Sequence, residues 1–448
     1  MKLFGKIRLN SIQIIAIGFA AIILLGALLL SLPISNRAGR AIPFVDALFT
    51  STSATCVTGL VVYDTYTQFS LFGQLVILCL IQVGGLGFMT VATLFLMMAR
   101  RKIGLKERGM LTESVSAFQI GGIVRLVKRV MICAALFEGV GAVLLTIRFS
   151  PHMGLATGIY NAIFHSVSAF CNAGFDLMGR FAPYTSLMPY QSDILVNLTI
   201  MSLIVIGGLG FVVWDDIWEH KLRYARYRLH TKIVLLMTLV LIMGGAILFY
   251  MMEKDNTLAG LSPMGQIMAS LFQSITPRTA GFNTVDTSAL TESGMVLTML
   301  LMMIGASPGS TGGGIKTTAV MTILLATVSY IRNSDDMNIF HRRLDTGALK
   351  RAYGSATIYI VLAVTGAFLL ITAQGLHVKN AAFEVISAIS TVGLSTGITR
   401  DLSAMSRMLI LILMYCGRVG SLTLAMAIMA RVKEKTNLHN PEEKIIIG

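Results

Sequence analysis

The amino-acid sequence predicts an all-α membrane protein: four repeats of one helix–half-helix–helix unit, set with pseudo-fourfold symmetry about a single axis. Eight transmembrane helices and four re-entrant half-helices make up that design. Three observations carry it. Apolar residues are 55% of the 448 and charged residues only 13%, with a mean hydropathy of +0.75, whereas soluble chains run near about a quarter charged. One short motif recurs four times at nearly equal intervals. Each copy lies between two apolar segments long enough to cross a bilayer. Such a composition excludes a soluble enzyme, a disordered tail protein and a secreted disulfide scaffold. Gly (42) is abundant, and its smallness lets membrane helices approach closely.

The first element is a membrane helix. Lys2, Lys6 and Arg8 precede the apolar run 12–32; signal peptides begin the same way, but their apolar region spans only about 7–15 residues. Cys56, Cys79, Cys133, Cys171 and Cys416 show no CxxC or CxxxC spacing, so neither a metal nor a disulfide framework is indicated.

The motif copies read ALFTSTSATCVTG (47–59), AIFHSVSAFCNAG (162–174), SLFQSITPRTAG (270–281) and AAFEVISAISTVG (381–393). Each has an aromatic near its start, Ser or Thr in the next turns, and a small-residue turn closing on Gly. The closing glycines are 115, 107 and 112 residues apart, and a quarter of 448 is 112. The repeat therefore spans the chain, as 1–110, 111–225, 226–340 and 341–430, with a tail at 431–448. Leading apolar segments fall at 12–32, 124–147, 231–252 and 350–372. Trailing ones fall at 71–98, 194–214, 295–329 and 405–430. Each is about long enough for a ~30 Å hydrocarbon core, whereas the motif helix of ~12 residues suits a re-entrant segment.

Lys and Arg fix the orientation. With both termini cytoplasmic, the inner segments 1–11, 100–129, 220–232, 332–351 and 431–448 hold 25 of them and the outer segments eight. Arg278, Lys316 and Arg418 remain at membrane depth. The expected location is the cell membrane, crossed several times, with the half-helices dipping in from outside.

A half-helix ending inside the bilayer leaves its last carbonyls unpaired, with the negative end of its dipole beside them. Backbone of that kind survives only inside protein or beside a water-filled cavity. Four such ends around one axis form a ring of carbonyls able to replace a cation's hydration shell. Anion conduction would require helix N-termini there, and the chain order gives C-termini. The alternative, that the motifs only pack helices as GxxxG pairs do, does not account for four copies at equal spacing.

On these motifs the chain resembles the Ktr/Trk/HKT superfamily of potassium transporters, in which one chain carries four helix–pore loop–helix repeats. The resemblance covers essentially all 448 residues. It implies that Gly59, Gly174, Gly281 and Gly393 are filter glycines. It also implies a K⁺ selectivity filter made by the carbonyls of Val57, Thr58 and Gly59; Asn172, Ala173 and Gly174; Thr279, Ala280 and Gly281; and Thr391, Val392 and Gly393. In plant relatives Ser in place of the first glycine favours Na⁺, so Gly59 implies K⁺. Only Thr58–Gly59 and Val392–Gly393 match parts of the TVGYG signature of K⁺ channels, which implies fewer tight sites. Trk-type members carry two extra N-terminal helices. Here the first helix starts near residue 12, as in the membrane subunit of Ktr systems. A homodimer on a cytosolic nucleotide-binding ring of the KtrA type is implied, with no cofactor, K⁺ being the transported ion and the only metal held.

The third trailing segment contains GASPGSTGGGIKTT (305–318). Its glycines and Pro308 cannot form a regular helix. A P-loop is excluded because Ile315 stands where GxxxxGK[ST] requires Gly. The stretch reads as an intramembrane loop beneath the filter, and by resemblance as the family's gate, comprising Gly305, Gly309, Gly312, Gly313 and Gly314. Lys316 either snorkels to the cytoplasmic side or takes part in gating. A charge at the depth of Arg418 costs about 2.5–3.5 kcal/mol on insertion scales, so it faces the bundle interior or water. The family has an arginine near the gate; Arg418 is expected to contact the loop and form a barrier to cations, or else to fix its helix through carbonyls. Arg278, in the third turn, is expected to point backward and brace the loop against Glu384. Glu138 reads as a paired structural carboxylate. GGLGF occurs at 84–88 and 207–211, favouring packing over a hinge. Trp214 and Trp218 mark an interface belt.

The sequence thus points to a K⁺-conducting uptake subunit. A Na⁺-preferring or less selective uniporter is the nearest alternative. A membrane enzyme or proton-coupled antiporter would need clustered His, Asp or Glu at membrane depth, and the seven His and 22 acids form no such cluster. No nucleic-acid partner is indicated; the basic inner segments are available to the ring or to anionic lipid.

Overall fold

The computed structural model describes residues 11–98, 104–114, 121–221, 223–334 and 336–420. The basic N-terminal residues, the tail 431–448 and the last part of the fourth trailing segment lie outside them. The described chain is predominantly helical, with one hairpin pairing Asn338–Ile339 with Arg342–Arg343.

Four leading helices, Ser11–Ser31, Ile123–Met153, Leu229–Glu253 and Thr346–Gln374, are each long and apolar enough to cross a membrane. Their outer faces carry large exposed apolar side chains, among them Leu25, Leu28, Val143, Ile147, Leu239, Ile247, Val364 and Phe368. A contiguous apolar exterior of this kind is stable only against lipid or another apolar surface. The protein is membrane-embedded.

Each leading helix is followed by a short helix of 12 to 16 residues: Phe44–Thr55, Leu155–Phe170, Pro263–Ile275 and Val378–Ile389. In the first three repeats a serine of the short helix donates to a carbonyl of its leading helix: Ser51 to Ile23, Ser166 to Glu138 and Ser274 to Ile242. A leading-helix glycine (Gly26, Gly141 or Gly245) faces that serine, with no room for a Cβ. In the fourth repeat Val385 packs on Gly366 instead. Small residues here bring two backbones together, the usual basis of membrane-helix association.

The trailing helices start on capping side chains: Ser70, Asp193, Thr291 and Ser403 accept from Gly73, Val196, Gly294 and Ser406 N–H groups. Such caps satisfy an otherwise unpaired N–H of the first turn. Straight trailing spans at 71–98 and 194–214 do not form. Leu71–Leu86 and Phe88–Leu94 meet at 98°, and Ile194–Leu209 and Phe211–His220 at 94°. Gly87 (φ 81) and Gly210 (φ 99) occupy the corners, where any other residue would be strained. The GGLGF copies do two jobs, because their first glycines pack: Gly84 lies against the Thr55 carbonyl and Gly207 against that of Phe170. Among the described residues, with each bent pair counted as one, up to six segments are long and apolar enough to cross a membrane. The third trailing segment is two helices, Glu292–Met303 and Thr317–Ile331, separated by a non-helical stretch wider than the predicted 305–314. The fourth is described as Ala404–Val419.

Repeats four and one are joined by an ion pair. Arg407 Nη1 lies 2.5 Å from Asp46 Oδ1, with side-chain exposures of 18% and 5%, and Tyr63 donates to the other carboxylate oxygen at 2.7 Å. Breaking a buried pair on one side costs about 3 kcal/mol or more, because the other charge stays buried. Asp46→Asn is therefore expected to lower the thermal unfolding midpoint in detergent by several degrees, and an unchanged midpoint would refute that role.

Candidate functional site

Each short helix ends in a three-residue turn with one backbone pattern. Val57, Asn172, Thr279 and Thr391 have φ of 55, 57, 79 and 53°, and the glycines two residues later have φ of 94, 68, 79 and 94°. The residue between is not in the positive-φ region. Alternation of this kind turns successive carbonyls toward the same side. Left-handed φ in three β-branched residues is unfavourable on its own and persists only where the surroundings impose it.

The surroundings are the other turns. A Cβ on Gly59 would lie 2.6 Å from the Ala173 oxygen and one on Gly174 would lie 2.7 Å from that of Ala280. Gly281 is closer still to Val392 O, and Gly393 to Thr58 O. The four turns thus interlock in chain order and close on themselves. Hydroxyls five or six residues before each glycine brace the ring from behind. Ser53 and Ser387 accept from the Gly59 and Gly393 N–H groups at 3.1 Å, while Ser168 and Thr276 donate to the Phe175 and Phe282 carbonyls at 2.7 Å. The sequence reading noted Ser and Thr in the motif without assigning these four. Their near-constant offset, six residues before the closing glycine in three copies and five in the third, was the available signal.

Beneath the ring lies the stretch 304–316. Its ends pair, Gly305 N with Ile315 O at 3.0 Å and Ile315 N with Met303 O at 3.1 Å. Its top touches the turns: Gly312 meets Thr279 Oγ1, and Gly313 meets Thr391 Oγ1 and Ser390 O. Ser307 N and Thr311 N donate to the Gly208 and Gly207 carbonyls, and Phe211 N donates to Gly309 O. The second corner therefore anchors the loop. Lys316 folds back and donates through Nζ to Gly312 O at 2.6 Å. Arg418 bridges two elements, donating through Nη1 to Thr311 O and through Nη2 to the Gly84 and Gly85 carbonyls.

The expected brace between Arg278 and Glu384 is not made. Arg278 points away from the ring and donates through Nη2 to Thr238 Oγ1 at 3.4 Å. Glu384 instead accepts from Thr399 and, at 2.9 Å, from Ser395. Hydroxyls close to Glu384 on its own repeat satisfy it, and Arg278 is drawn to the leading helix of its own. Glu138 accepts both hydrogen bonds of the Gln82 amide, at 3.0 and 3.1 Å.

Beside the ring opens a solvent-facing hollow lined by Gly59, Gly174, Gly281 and Gly393 together with Asp64, Asp176, Tyr184 and Arg400. The Arg400 guanidinium is held 3.7 Å over the Tyr184 ring. Asp64 accepts from the Thr67 and Tyr184 N–H groups. Burial pushes the Asp176 carboxyl up to about 7, and the Asp64 charge adds to the rise, against the Met178 N–H and Ser186 hydrogen bonds that lower it.

Among the described residues no group of three or more His, Cys, Asp or Glu has the arrangement of a metal site. The chemistry on offer is that of neutral oxygens in a ring. The sequence profile of TrkH, a cation transport protein, matches residues 11–438. This chain belongs to the TrkH family. TrkH-family relatives include the Ktr system potassium uptake protein B of Bacillus subtilis, 39% identical over all of this chain and 99% of the relative. The potassium/sodium uptake protein NtpJ of Enterococcus hirae is 38% identical over 100% and 99%. The crystal structure of the potassium transporter TrkH from Vibrio parahaemolyticus shares the fold, with a TM-score of 0.72, 19% identity, and coverage of 95% of this chain and 85% of that one. The TrkH family comprises transporters, not enzymes.

Proposed function

We propose that this chain is the K⁺-conducting uptake subunit of a Ktr-type system, with four pore-loop repeats around one pathway and both termini cytoplasmic. The carrying observation is the closed ring of four interlocked turns with alternating φ beside an open hollow. Carbonyls of residues 57–59, 172–174, 279–281 and 391–393 then act as a selectivity filter, replacing the hydration shell of K⁺. The names of the B. subtilis and E. hirae relatives agree with a monovalent cation as cargo. The Thr58 and Thr391 hydroxyls are buried without a protein partner, which leaves their oxygens available to the ion.

The stretch 304–316 serves as the gate, held shut by Lys316 and Arg418 beneath the filter. A second copy of the chain and a cytosolic nucleotide-binding ring complete the assembly in this reading, and the basic inner segments offer the ring its contacts. Complementation tests it. Cells lacking K⁺ uptake should grow at low K⁺ and accumulate Rb⁺ when this chain is expressed with its ring. Failure with both proteins in the membrane fraction would reject the reading, and Na⁺ uptake in place of Rb⁺ would favour the sodium-preferring alternative.

Asp176 adds a pH dependence. Its value in the fold, about 7, exceeds the ordinary carboxyl value of 3.8, so the acid form adds stability that is complete below about pH 4 and lost as pH rises through about 7. The same ionisation adds a negative charge to the mouth, which concentrates cations there. Rb⁺ uptake at subsaturating concentration is expected to rise about two- to threefold between pH 6 and 8, by the modest gain of one partly screened charge. Asp176→Asn should flatten that profile; a parallel rise in the variant would assign it elsewhere.

A further inference from the structure

Four equivalent positions lie three residues before the closing glycines: Cys56, Cys171, Arg278 and Ser390. All four are buried. Cys171 and Ser390 make neutral contacts with Gln82 and Tyr359. Arg278 alone carries a charge; it is 6% exposed, its Nε has no partner, and Thr238 is its hydrogen-bond acceptor. The second and fourth repeats instead hold buried or half-buried carboxyls, Glu138 bonded to Gln82 and Glu384 bonded to Ser395. The four quadrants therefore have similar backbones and dissimilar fields: Arg278 stands behind the third turn, Arg418 reaches Gly84 and Gly85 beside the first and second, and Glu138 and Glu384 belong to the second and fourth repeats.

We infer that Arg278 is an affinity-setting residue of the pathway: a fixed positive charge behind the third turn that weakens K⁺ binding in the ring and so speeds release. The inference rests on the transport reading above and adds to it. A half-helix end attracts a cation through its unpaired carbonyls. At the end of Pro263–Ile275, the guanidinium offsets that attraction in the third quadrant. Conduction needs sites tight enough to enter and weak enough to leave. A buried unit charge acts on the ion through protein of effective dielectric roughly 20, a stronger coupling than through water, and the expected change in affinity is about tenfold, or about 1.4 kcal/mol.

The test is Rb⁺ uptake by the full chain with its regulatory ring in cells lacking K⁺ uptake. Wild-type uptake comes first, since its absence would reject the transport reading before Arg278 is at issue. Arg278→Gln is expected to lower KM about tenfold with a reduced maximal rate, while Arg278→Lys, which keeps the charge, stays within about twofold of wild type in KM. An unchanged or raised KM in Arg278→Gln would overturn the inference, as would equal shifts in the two variants, which would mark a role for shape alone. Arg278→Met, purified in detergent, gives a direct reading: K⁺ should raise its unfolding midpoint at about tenfold lower concentration than in wild type. If neither neutral variant reaches the membrane, the charge is a requirement of folding and the inference fails.

Discussion

Gly393→Ala is expected to abolish K⁺ uptake, with Rb⁺ influx reduced about a hundredfold while the protein still reaches the membrane. The backbone at Gly393 has φ 94°, where an L side chain costs roughly 1–2 kcal/mol. An added Cβ would also collide with the Thr58 carbonyl, and overpacking of a tight site adds about 1–3 kcal/mol. At about 1.4 kcal/mol per tenfold, the sum spans the expected loss. The collision falls on an oxygen of the neighbouring turn, so the damage lies in ion selection and not only in stability. Rb⁺ against Na⁺ influx measures it: full uptake with unaltered discrimination would mean that the interlocked ring does not select the ion.

Arg418→Gln is expected to raise Rb⁺ influx about tenfold or more in the absence of the regulatory ring, with little change in KM. The guanidinium ties the loop at Thr311 to the first trailing helix at Gly84 and Gly85. Hydrogen bonds to a charged group contribute about 1.5–3 kcal/mol each, so loss of one shifts the loop's opening equilibrium by a factor of ten or more. Removing the charge also lowers any barrier it sets to a passing cation. An unchanged rate with unchanged regulation would place the gate elsewhere and leave Arg418 as a brace for its own helix.

Sequence and structure agree most where a residue type has one use. The closing glycines stood out because four copies at near-equal spacing need a shared reason, and the family assignment followed from them. The bends were less visible. GGLGF reads as a packing stripe sooner than as a hinge, whereas in the fold Gly84 packs and Gly87 turns. Side-chain partners were the least legible. Arg278 and Glu384 have opposite charges in adjacent repeats, yet each is taken by hydroxyls of its own repeat, because contact depends on direction and depth, which spacing along the chain does not encode. Ser53, Ser168, Thr276 and Ser387 were hidden for another reason: every motif copy holds several hydroxyls, and only the one facing the turn braces it.

The head-to-tail order of the interlocked turns bears on how the chain is made. Gly59 rests on the second turn, Gly174 on the third and Gly281 on the fourth, but the last contact, Gly393 against Thr58, returns to the beginning, as does Arg407 against Asp46. A nascent chain leaving the ribosome therefore has an incomplete ring until its fourth quarter is inserted.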